Sequence, residues 1–584
     1  MKNFHKKTII TLLSILSILQ GACKKDLNLT PANQPTDATY WTTPDQFKSA
    51  ASLFYNYFPT FDYAVAYLQP YDLEADYNSD FCGALTPYSE SSYTPPLTNA
   101  AYTNAYSQLR TINYLLAKAQ TYQGDASGIK QYVAEAHFFR AFVYFRLLMY
   151  FGGVPLITSP LTPSSAELQA PRAKRDDLVN YIIAELDAAS ANLLTEDQIA
   201  AADKGRISKT AALAFEGRVT LFEGTWNKFR SNATRANEML DKSVNASNQV
   251  ITSGQYQLFA PENGIALGDS TYKYLFILEN QKSNPLGYTK ANNKEFIISN
   301  RYDYSLRQIG ALITHSGVGT PTSKFANLFL CKDGLPIDKS PLFSGYGTKA
   351  SEFQNRDTRM QNMFRIPGNK YYDNNPNPRF ALDGSTTTNA GIAFDPVPTV
   401  TNTGYFNNKY RTERGSADRT EAYDYPVLRY AEVLLNYAEA KFERDGSISD
   451  ADLNLSLNKV RTSQRTKLPA LTNAFVSGNG LDMRTEIRRE RSIELAWEGL
   501  RIFDILRWKT AEIEMKTSLL GIKYTGTPYA TDSRWTAQAA LGTENGFLVI
   551  ESASKRFFTD KNYLLPLPTQ EIVANPNLTQ NPGW

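Results

Sequence analysis

Apolar side chains recur at helical spacing in several segments of the first 250 residues. Two long helices are predicted over 99–122 and 129–151, and only the loop Q-G-D-A-S-G separates them. Because a short link between long helices makes them antiparallel neighbours, the two are expected to form a helix pair. The second helix is apolar on nearly every side, so it is expected in the interior of the fold.

Other segments repeat this pattern of paired helices. A threonine cap at Thr43, followed by Pro44 at the first helical position, begins a helix that is predicted to run to Phe58. Such helix pairs are typical of a tetratricopeptide-like scaffold, here of about four pairs, although no clean repeat of about 34 residues emerges. The remaining predicted helices cover 175–194, 208–229, 233–252, 425–443 and 449–463.

The composition changes between about 255 and 420, where Gly, Pro, Asn, Thr and Tyr are frequent. Short strands are predicted there, at 274–278 and 295–298. The chain is therefore predicted to be mainly α-helical, with a large irregular, loop-rich insertion, and loops on a rigid frame often carry binding residues. The predicted single domain, 43–584, consists of a helical scaffold over 43–254 and 421–510, an irregular ligand-binding subdomain over 255–420, and a loop-rich C-terminal closure over 511–584.

The N-terminus carries the features of an export signal. Three lysines precede an apolar run over 8–19, which is shorter than the roughly 20 residues that a permanent membrane-spanning helix needs. Residues 1–22 are therefore predicted to be a lipoprotein signal peptide. Cys23 follows two small residues and is predicted to become the lipidated N-terminus, with 23–42 as anchor and tether. The alternative is a secretory signal that is cleaved nearby and leaves Cys23 as a free cysteine.

The charge of the mature chain excludes one class of partner. The formal net charge is +3, but removal of 1–22 takes away three lysines and no acid, which leaves a charge of 0. A near-neutral chain has no general electrostatic attraction for nucleic acid, which is therefore not expected as a partner. No segment after the signal is apolar over the length that a bilayer requires. We expect a folded body outside the bilayer, held to it by the lipid tether.

Few residues are available for metal or redox chemistry. Cys82 and Cys331 are the cysteines that follow Cys23, and one disulfide between them stays possible in an exported protein. Beyond the signal, the only histidines in the sequence are His137 and His315. Neither a metal site nor a cofactor is predicted.

Four glutamates, at 486, 490, 494 and 498, stand four positions apart and are predicted to share one helix face. They fit an active site poorly, because glycosidases bring two carboxylates to opposite sides of the scissile bond. They also fit a metal cage poorly, since di-metal bundles use Glu-x-x-His pairs and no histidine follows His315. Interspersed arginines favour ion pairs that fix the register of packed helices. The predicted network consists of Arg429, Glu432, Glu490, Arg491, Glu494 and Glu498.

Several motifs occur in a fixed order along the chain. F-F-R-A-F-V-Y-F-R begins at 138, C-K-D-G-L-P-I occupies 331–337, and P-V-L-R-Y-A-E begins at 426. I-R-R-E-R-S-I-E-L-A-W-E-G follows at 487, and L-L-P-L-P-T-Q-E-I begins at 564. Together with the lipoprotein signal, this arrangement resembles the SusD/RagB family over nearly the whole chain.

The resemblance implies four tetratricopeptide-like helix pairs that support an irregular ligand-binding face. Members of this family are outer-membrane lipoproteins, facing outward in many cases, that capture oligosaccharides, or peptides in the RagB branch. They deliver the ligand to a SusC-like TonB-dependent barrel and lack catalytic activity. We therefore expect a non-catalytic binding protein of the outer membrane. Two other functions stay open: a secreted glycosidase that uses two acids from the loops, and a scaffold that binds only protein partners.

Two loop stretches are expected to bind the ligand, Y-D-L-E-A-D-Y-N-S-D-F at 71–81 and S-N-R-Y-D-Y-S at 299–305. Sugar rings stack on aromatic side chains, while carboxylates, amides and arginine bind their hydroxyls. The family often uses tryptophan here, but none lies between Trp41 and Trp226 or between Trp226 and Trp497, which leaves tyrosine as the platform and a peptide ligand possible. The expected contact residues are Tyr71, Asp76, Tyr77, Asp80, Tyr88, Tyr93, Arg301, Tyr302 and Tyr304. Arg301 could instead close a loop through a salt bridge.

Overall fold

The computed structural model describes residues 37, 40–61, 76–83, 85, 88, 92–261, 267–310, 319–369, 394–399, 401–412 and 420–584. Within these ranges the chain is mainly helical, and its short strands form two small sheets. The predicted fold class, a mainly α-helical scaffold with an irregular insertion, is thereby confirmed.

Six helices form the N-terminal part of the scaffold. Each of the five long ones begins and ends within two residues of its predicted bounds. The first helix is shorter than predicted, because the chain tightens into a 3₁₀ turn over Leu53–Tyr57 before it reaches Phe58. The six are α1 (Pro44–Ser52), α2 (Ala100–Gln120), α3 (Lys130–Phe151), α4 (Arg175–Asn192), α5 (Lys209–Lys228) and α6 (Ala233–Thr252).

Polar caps fix the ends of these helices. The side chain of Asn99 accepts hydrogen bonds from the backbone N–H groups of Ala101 and Tyr102 at the start of α2. Ser208 caps α5 in the same way, and Gly152, with a φ of 75°, ends α3. Consecutive helices contact each other, α2 with α3, α3 with α4 and α5 with α6, which is the arrangement of a helix-pair scaffold.

Helix α3 lies in the interior, as its uninterrupted apolar pattern predicts. Phe138, Phe142 and Phe145 are each less than 5% exposed. Their rings lie 5.4, 5.5 and 5.6 Å from the ring of Phe215 on α5. Burial of one such side chain stabilises the fold by about 1.5–3 kcal/mol, so this aromatic stack is a major contribution to the scaffold core.

Short elements alternate with loops in the irregular region. The strand predicted at 295–298 is present, but the one predicted at 274–278 is wrong, because the chain there is helical and then turns. Every side chain from Tyr274 to Leu278 is buried, and a short apolar run fits a buried helix as well as a buried strand. The elements are α7 (Thr271–Leu275), β1 (Phe296–Asn300), α8 (Ser323–Leu328) and α9 (Thr358–Met363).

The remaining elements follow residue 420. They are β2 (Tyr425–Arg429), α10 (Tyr430–Asp445), α11 (Asp450–Leu455), α12 (Leu457–Arg461), α13 (Asn473–Gly478), α14 (Met483–Glu494), α15 (Arg501–Arg507), α16 (Ala511–Glu514), β3 (Leu519–Lys523), α17 (Thr536–Ala539), β4 (Thr543–Glu544), β5 (Phe547–Glu551) and α18 (Thr569–Ala574). Strands β3, β5 and β4 form an antiparallel sheet in that order.

The helix predicted over 425–443 begins as a strand. Pro426 lacks a backbone N–H and disfavours the helical conformation of the residue before it, so this end of the segment is extended. It forms β2, which pairs antiparallel with β1, with Asn300 opposite Tyr425 and Phe296 opposite Arg429. A second predicted helix, over 449–463, is broken into α11 and α12 at Ser456, whose φ and ψ are −129° and −100°.

Cys82 and Cys331 are both buried free thiols, so the disulfide that the sequence leaves possible is not formed. Among the residues that the structure describes, none of the helices combines the length and the apolar character needed to cross a membrane.

The row of glutamates lies where α14 meets the irregular region. Glu486, Glu490 and Glu494 are on α14, which ends at Glu494, so the prediction of one helix face is wrong for Glu498. Trp497 adopts a φ of 63° and turns the chain after the helix. The Glu498 side chain is nevertheless only 4% exposed, and the other three glutamates are buried.

Glu494 is the centre of the resulting ion pairs. Its Oε1 atom lies 2.7 Å from Nη1 of Arg429 and 2.6 Å from Nη2 of Arg465, and its Oε2 atom lies 2.8 Å from Nη1 of Arg359. Arg429 and Arg465 also bind Glu295, at 2.8 and 2.5 Å. All five residues are 0% exposed. Each charge must therefore be compensated inside the protein.

Two further glutamates extend these pairs. Glu490 binds Arg359 at 2.7 Å and Arg461 at 3.4 Å. Glu498 binds Arg429 at 2.8 Å and the buried Lys409 at 2.7 Å. Burial lowers the pKa of Lys409 to about 8, and Glu498 acts against that shift.

The cluster is balanced in charge. Asp357 binds Arg359 at 2.7 Å and supplies a fifth carboxylate for five cations. The ionic cluster, as it is called below, consists of Arg359, Lys409, Arg429, Arg461, Arg465, Glu295, Asp357, Glu490, Glu494 and Glu498.

The other two members of the predicted network pair elsewhere in the scaffold. Glu432 of α10 accepts two hydrogen bonds, at 2.6 and 2.5 Å, from Arg218 of α5. Arg491 of α14 binds Asp504 of α15 at 2.8 Å and Asn436 of α10 at 2.7 Å. These contacts hold four helices together.

Replacement Glu494→Gln is expected to lower the free energy of unfolding by about 3–5 kcal/mol, because three buried arginines lose their shared charge. Burial alone would raise the pKa of Glu494, but Arg465, Arg429 and Arg359 outweigh it and hold the pKa at about 2. The pKa of a glutamate in the unfolded chain is about 4.3. The stabilisation from ionised Glu494 is therefore fully present above that pH and is lost as the pH falls toward the folded-state pKa of about 2. Urea unfolding of both proteins, from neutral to acidic pH, measures the difference.

The matched control is Asp269→Asn, which removes one partner of an exposed ion pair. The side chains of Lys467 and Asp269 are 45% and 50% exposed, so this change is expected to cost less than about 1 kcal/mol. Equal losses in the two variants would contradict the special role of the buried cluster.

A candidate ligand-binding groove

The acidic stretch that was expected to contact the ligand faces the interior. Tyr71 lies outside the described residues. Asp76, Tyr77 and Asp80 are 4%, 7% and 1% exposed, so the structure contradicts their predicted role as surface contacts. The physical reason for Asp80 is an ion pair: its two carboxylate oxygens accept hydrogen bonds from Nε and Nη2 of Arg501, at 2.9 and 2.8 Å.

The two buried aspartates differ in their ionisation. Burial raises the pKa of Asp76 to about 6, and the backbone N–H groups of Trp497 and Arg501 offset only part of that shift. Burial also acts to raise the pKa of Asp80, but the charges of Arg501 and Lys324 outweigh it and hold the pKa well below its usual range. Asp80 is therefore a structural anion.

Three of the predicted tyrosines are also buried, and the structure contradicts their role as a surface platform. Tyr88 and Tyr93 are stacked with ring centroids 5.4 Å apart, and Tyr93 packs against the C-terminal Trp584 at 4.9 Å. Tyr302 is 6% exposed, and the guanidinium of Arg307 lies over its ring at 4.6 Å. Aromatic area this large is more stable in contact with other side chains than in water.

Arg301 and Tyr304 stay nearer the surface. Tyr304 is half-buried in a turn that is closed by mutual backbone hydrogen bonds between Asp303 and Arg307. Arg301 is exposed, and its Nη1 group donates to the backbone carbonyl of Lys204. Arg301 therefore closes a loop, as the alternative prediction has it, but through a carbonyl rather than a salt bridge.

Arg301 stands between two adjoining compartments of one groove, which is called the Arg301 groove below. The larger compartment has a volume of about 570 Å³ and the smaller about 270 Å³. The groove lies between β1 and the link that joins α4 to α5. The two compartments share Lys204, Gly205, Arg206, Ser299 and Arg301.

Gly205 allows the close approach of β1 and the α4–α5 link. Its φ is +98°, and a Cβ atom there would lie 2.6 Å from Cδ of Arg301. The next residue, Arg206, donates two hydrogen bonds to Glu135 on α3, at 2.8 and 2.7 Å. The link is thus held on one side by the scaffold and on the other by the residue that follows β1.

The larger compartment of the groove contains amides and the half-buried ring of Phe296. Asn280 donates to Asp303 at 3.0 Å. Asn293 accepts from the backbone N–H groups of Glu295 and Phe296 through its Oδ1 atom, at 2.9 and 3.2 Å. Phe296, the first residue of β1, is half-buried in the larger compartment. Amides, guanidinium groups and a ring face are the groups that bind sugars or polar peptides.

No group of three or more His, Cys, Asp or Glu side chains that could hold a metal ion occurs among the described residues. Of the two histidines considered above, His315 lies outside the described residues. His137 has its Nδ1 atom 2.9 Å from Glu185, away from the groove.

The sequence analysis named Arg301 as a candidate contact residue but none of the residues around it in this candidate groove. Lys204, Gly205, Arg206, Asn280 and Asn293 were not expected at a site. The one available signal was the charged, glycine-containing stretch K-G-R in the link between two predicted helices. Nothing in the linear sequence indicates that this link faces a strand about a hundred positions later.

Comparison with protein families decides the assignment. The model described as the SusD family matches residues 277–584, which is more than half of the chain. The chain belongs to the SusD family. A second model of SusD-like proteins, described as starch-binding and associating with the outer membrane, matches residues 79–221. The resemblance seen in the sequence motifs is thereby confirmed.

Individual relatives are distant but cover most of the chain. A SusD-like protein P2 from Formosa agariphila is 25% identical over 500 residues, which are 84% of this chain and 81% of the relative. A SusD-like protein from Bacteroides ovatus is 21% identical and aligns over 100% of this chain and 99% of its own. A SusD-like carbohydrate-binding protein from Bacteroides fragilis has a similar fold, with a TM-score of 0.71, 23% identity and coverage of 93% and 100%. At this identity the structural likeness shows the fold.

Gly205→Ala is expected to displace Arg301 from the α4–α5 link of this SusD-family protein. An alanine at this position would be strained in two ways: its φ would be +98°, and its Cβ atom would lie 2.6 Å from Cδ of Arg301. The free energy of unfolding is therefore expected to fall by about 2–3 kcal/mol. Urea unfolding measures that loss, and hydrogen exchange of the link and the end of β1 measures the local opening. The control is Gly254→Ala, where φ is +66° but no atom lies within 4 Å of the added Cβ. A loss of about 1 kcal/mol is expected there, and faster exchange at the link in Gly254→Ala as well would contradict the role of the contact.

Proposed function

We propose that this SusD-family protein captures oligosaccharides at the Arg301 groove and passes them, unchanged, to a SusC-like TonB-dependent barrel of the outer membrane. The observation that carries the proposal is the groove itself. On a SusD-family scaffold, a cleft of about 570 Å³ combines amides, guanidinium groups and an aromatic ring. Sites for small ligands typically have volumes of about 300–1,000 Å³, so the cleft has room for a short oligosaccharide.

The groove residues offer both hydrogen-bond donors and an apolar surface to a sugar. The side-chain NH₂ group of Asn293 has no acceptor among the described residues and is available for a sugar hydroxyl. Arg301 and Asn280 offer further donors. Phe296 supplies a half-buried ring for the C–H face of a sugar. Each contact is weak, which suits a protein that must release its ligand to a transporter.

The name of one structural relative favours carbohydrate over peptide. A laminarin-binding SusD-like protein has a similar fold, with a TM-score of 0.54, 20% identity and coverage of 93% of this chain. Laminarin is a polysaccharide, and the same class of ligand is proposed for this protein. A peptide ligand, as in the RagB branch, is the alternative outcome of the binding test.

Binding without turnover is also part of the proposal. The carboxylates that line the groove are held in ion pairs: Glu196 lies 3.3 Å from Lys204, Asp424 lies 2.5 Å from Lys290, and Asp203 lies 2.6 Å from Lys48. A general acid or base needs a carboxyl group that is placed at the reacting bond and tuned for proton transfer. These pairs support a passive binding role.

Isothermal titration against plant, host and microbial oligosaccharides, with peptides of similar size, tests this function. Phe296→Leu keeps the bulk of the side chain but removes the aromatic face, so the affinity for a bound oligosaccharide is expected to fall by about three- to tenfold. The control Phe557→Leu changes an aromatic residue that is 61% exposed and does not line the groove, and should leave affinity unchanged. Absence of binding, or new reducing ends after incubation, would contradict the proposal.

The lipid anchor, at Cys23, lies outside the described residues and is proposed from the sequence. Cys23→Ser is expected to move the protein from the membrane fraction to the soluble fraction and to abolish incorporation of labelled palmitate, since its thiol is the predicted attachment atom. The control Cys331→Ser changes a buried cysteine and should leave the protein in the membrane fraction. An outer-membrane barrel is expected to co-purify with the anchored protein. Full membrane retention of Cys23→Ser would contradict the anchor.

A further inference from the structure

We propose that the Arg301 groove selects oligosaccharides that carry negative charge, as carboxylate or sulfate groups, over neutral ones. This inference rests on the proposed function and adds the chemical class of the ligand. It is carried by the excess of positive charge in the groove and by two arginines whose hydrogen-bond donors the protein uses only in part.

Basic side chains outnumber acidic ones by six to three among the described residues that line the groove. The chain as a whole is near-neutral once residues 1–22 are removed, so this excess is local. A cleft lined by charges of one sign raises the local concentration of ligands with the opposite charge. The basic residues are Lys204, Arg206, Lys290, Lys294, Arg301 and Arg307, and the acidic residues are Glu196, Asp203 and Asp424.

Six of these nine charges are already compensated. Their partners lie partly inside the groove and partly on the scaffold helices α1 and α3. Lys294, Arg301 and Arg307 have no carboxylate partner among the described residues, so the uncompensated charge of the groove is positive. The compensated pairs are Lys204–Glu196 at 3.3 Å, Lys290–Asp424 at 2.5 Å, Arg206–Glu135 at 2.7 Å and Lys48–Asp203 at 2.6 Å.

Arg301 and Arg307 each use a single guanidinium nitrogen in contacts with the protein. Nη1 of Arg301 donates to the carbonyl of Lys204. Nη1 of Arg307 donates to Oδ1 of Asn300 at 2.7 Å and to the carbonyl of Arg301 at 3.0 Å. The Nε and Nη2 groups of both arginines have no acceptor among the described residues. Together, Nε and Nη2 form the planar fork that binds a carboxylate or a sulfate through two parallel hydrogen bonds.

Both arginines are held in place before a ligand arrives. Arg301 lies against Gly205, where no Cβ intervenes. Arg307 lies over the ring of Tyr302, with 4.6 Å between the guanidinium carbon and the ring centroid. An arginine that is already fixed loses less conformational entropy when it binds an anion. The groove thus presents two prearranged forks, with Lys294 as a third, more flexible cation.

Neutral sugars would use these groups less well. A hydroxyl accepts one hydrogen bond from a fork, whereas a carboxylate or sulfate accepts two and also gains the attraction of opposite charges. Lys294, Arg301 and Arg307 are all exposed to solvent, so the extra affinity for an anionic ligand is moderate. Salt also screens this attraction, since the Debye length is about 8 Å at physiological ionic strength. Salt dependence is therefore a signature of the proposed selectivity.

Titration with matched ligands tests the selectivity directly. One pair is an oligogalacturonide with free carboxylates and its fully methyl-esterified form, and a second pair is a sulfated galactan oligosaccharide and its desulfated form. At low salt, the acidic member of at least one pair is expected to bind about five- to twentyfold more tightly, and the ratio should fall toward one as salt rises. The two pairs distinguish carboxylate from sulfate as the preferred group.

Three variants, at Arg301 and Lys294, and one control variant, at Arg110, test whether the selectivity arises in the groove. Arg301→Gln should weaken binding of the acidic ligand about three- to tenfold and leave the neutral one nearly unchanged. Arg301→Lys keeps the charge but removes the fork, and should weaken acidic binding to a similar extent. The control Arg110→Gln changes the net charge equally at an exposed position of α2 outside the groove, and should have no effect. Lys294→Gln removes a side chain without a partner among the described residues, so it tests the charge effect without disturbing the fold.

The outcomes separate this inference from the proposed function. If neutral and acidic ligands bind equally well, the selectivity is wrong while oligosaccharide capture stands. If no oligosaccharide of either kind binds, the proposed function fails and the selectivity fails with it. If acidic ligands bind preferentially but neither Arg301→Gln nor Lys294→Gln weakens them, the assignment to this groove is overturned.

Discussion

The convergence of three buried arginines on the carboxylate of Glu494 determines how the irregular region is attached to the helical scaffold. Arg429 and Arg465 come from the segment after residue 420, and Arg359 comes from α9 in the irregular region. Buried ion pairs contribute little net stability compared with well-packed apolar residues, but loss of one partner is costly. The ionic cluster therefore acts mainly by excluding other arrangements, because any shift of register would leave a charge buried without compensation.

The same cluster fixes one end of the strand that leads to the groove. Glu295 immediately precedes β1, and its bond of 2.8 Å to Arg429 joins that point to the last residue of β2. Five residues later β1 ends at Asn300, next to Arg301. At a strand rise of about 3.3 Å per residue, Asn300 lies roughly 17 Å from Glu295 along a strand that is paired with β2 and lines the groove over its length. The position of Arg301 thus depends on buried charges that do not line the groove.

The sequence predicted the parts of the fold that depend on local patterns. Five long helices are within two residues of their expected bounds because periodicity, caps and glycines determine them locally. Strand β2 was missed because its apolar run also fits a helix, and its partner β1 lies about 130 positions away. The loop tyrosines were misplaced for a similar reason: Tyr93 is covered by Trp584, and Tyr302 by Arg307. The ion pairing of Glu490, Glu494 and Glu498 was expected, whereas the partners Arg359 and Arg465 were missed because only tertiary contacts bring them to Glu494.

The arginines of the ionic cluster and those of the Arg301 groove differ in how many of their hydrogen-bond donors the protein uses. Arg429 donates through Nε, Nη1 and Nη2, all to groups of the ionic cluster, whereas Arg301 and Arg307 donate through Nη1 only. A buried donor without an acceptor costs about 1–3 kcal/mol, which favours the use of all three guanidinium nitrogens at Arg429. In the groove, the unused donors of Arg301 and Arg307 belong to exposed side chains, so they do not carry this cost. The proposed selectivity for anionic ligands and the stability of the fold would thus depend on separate sets of charges.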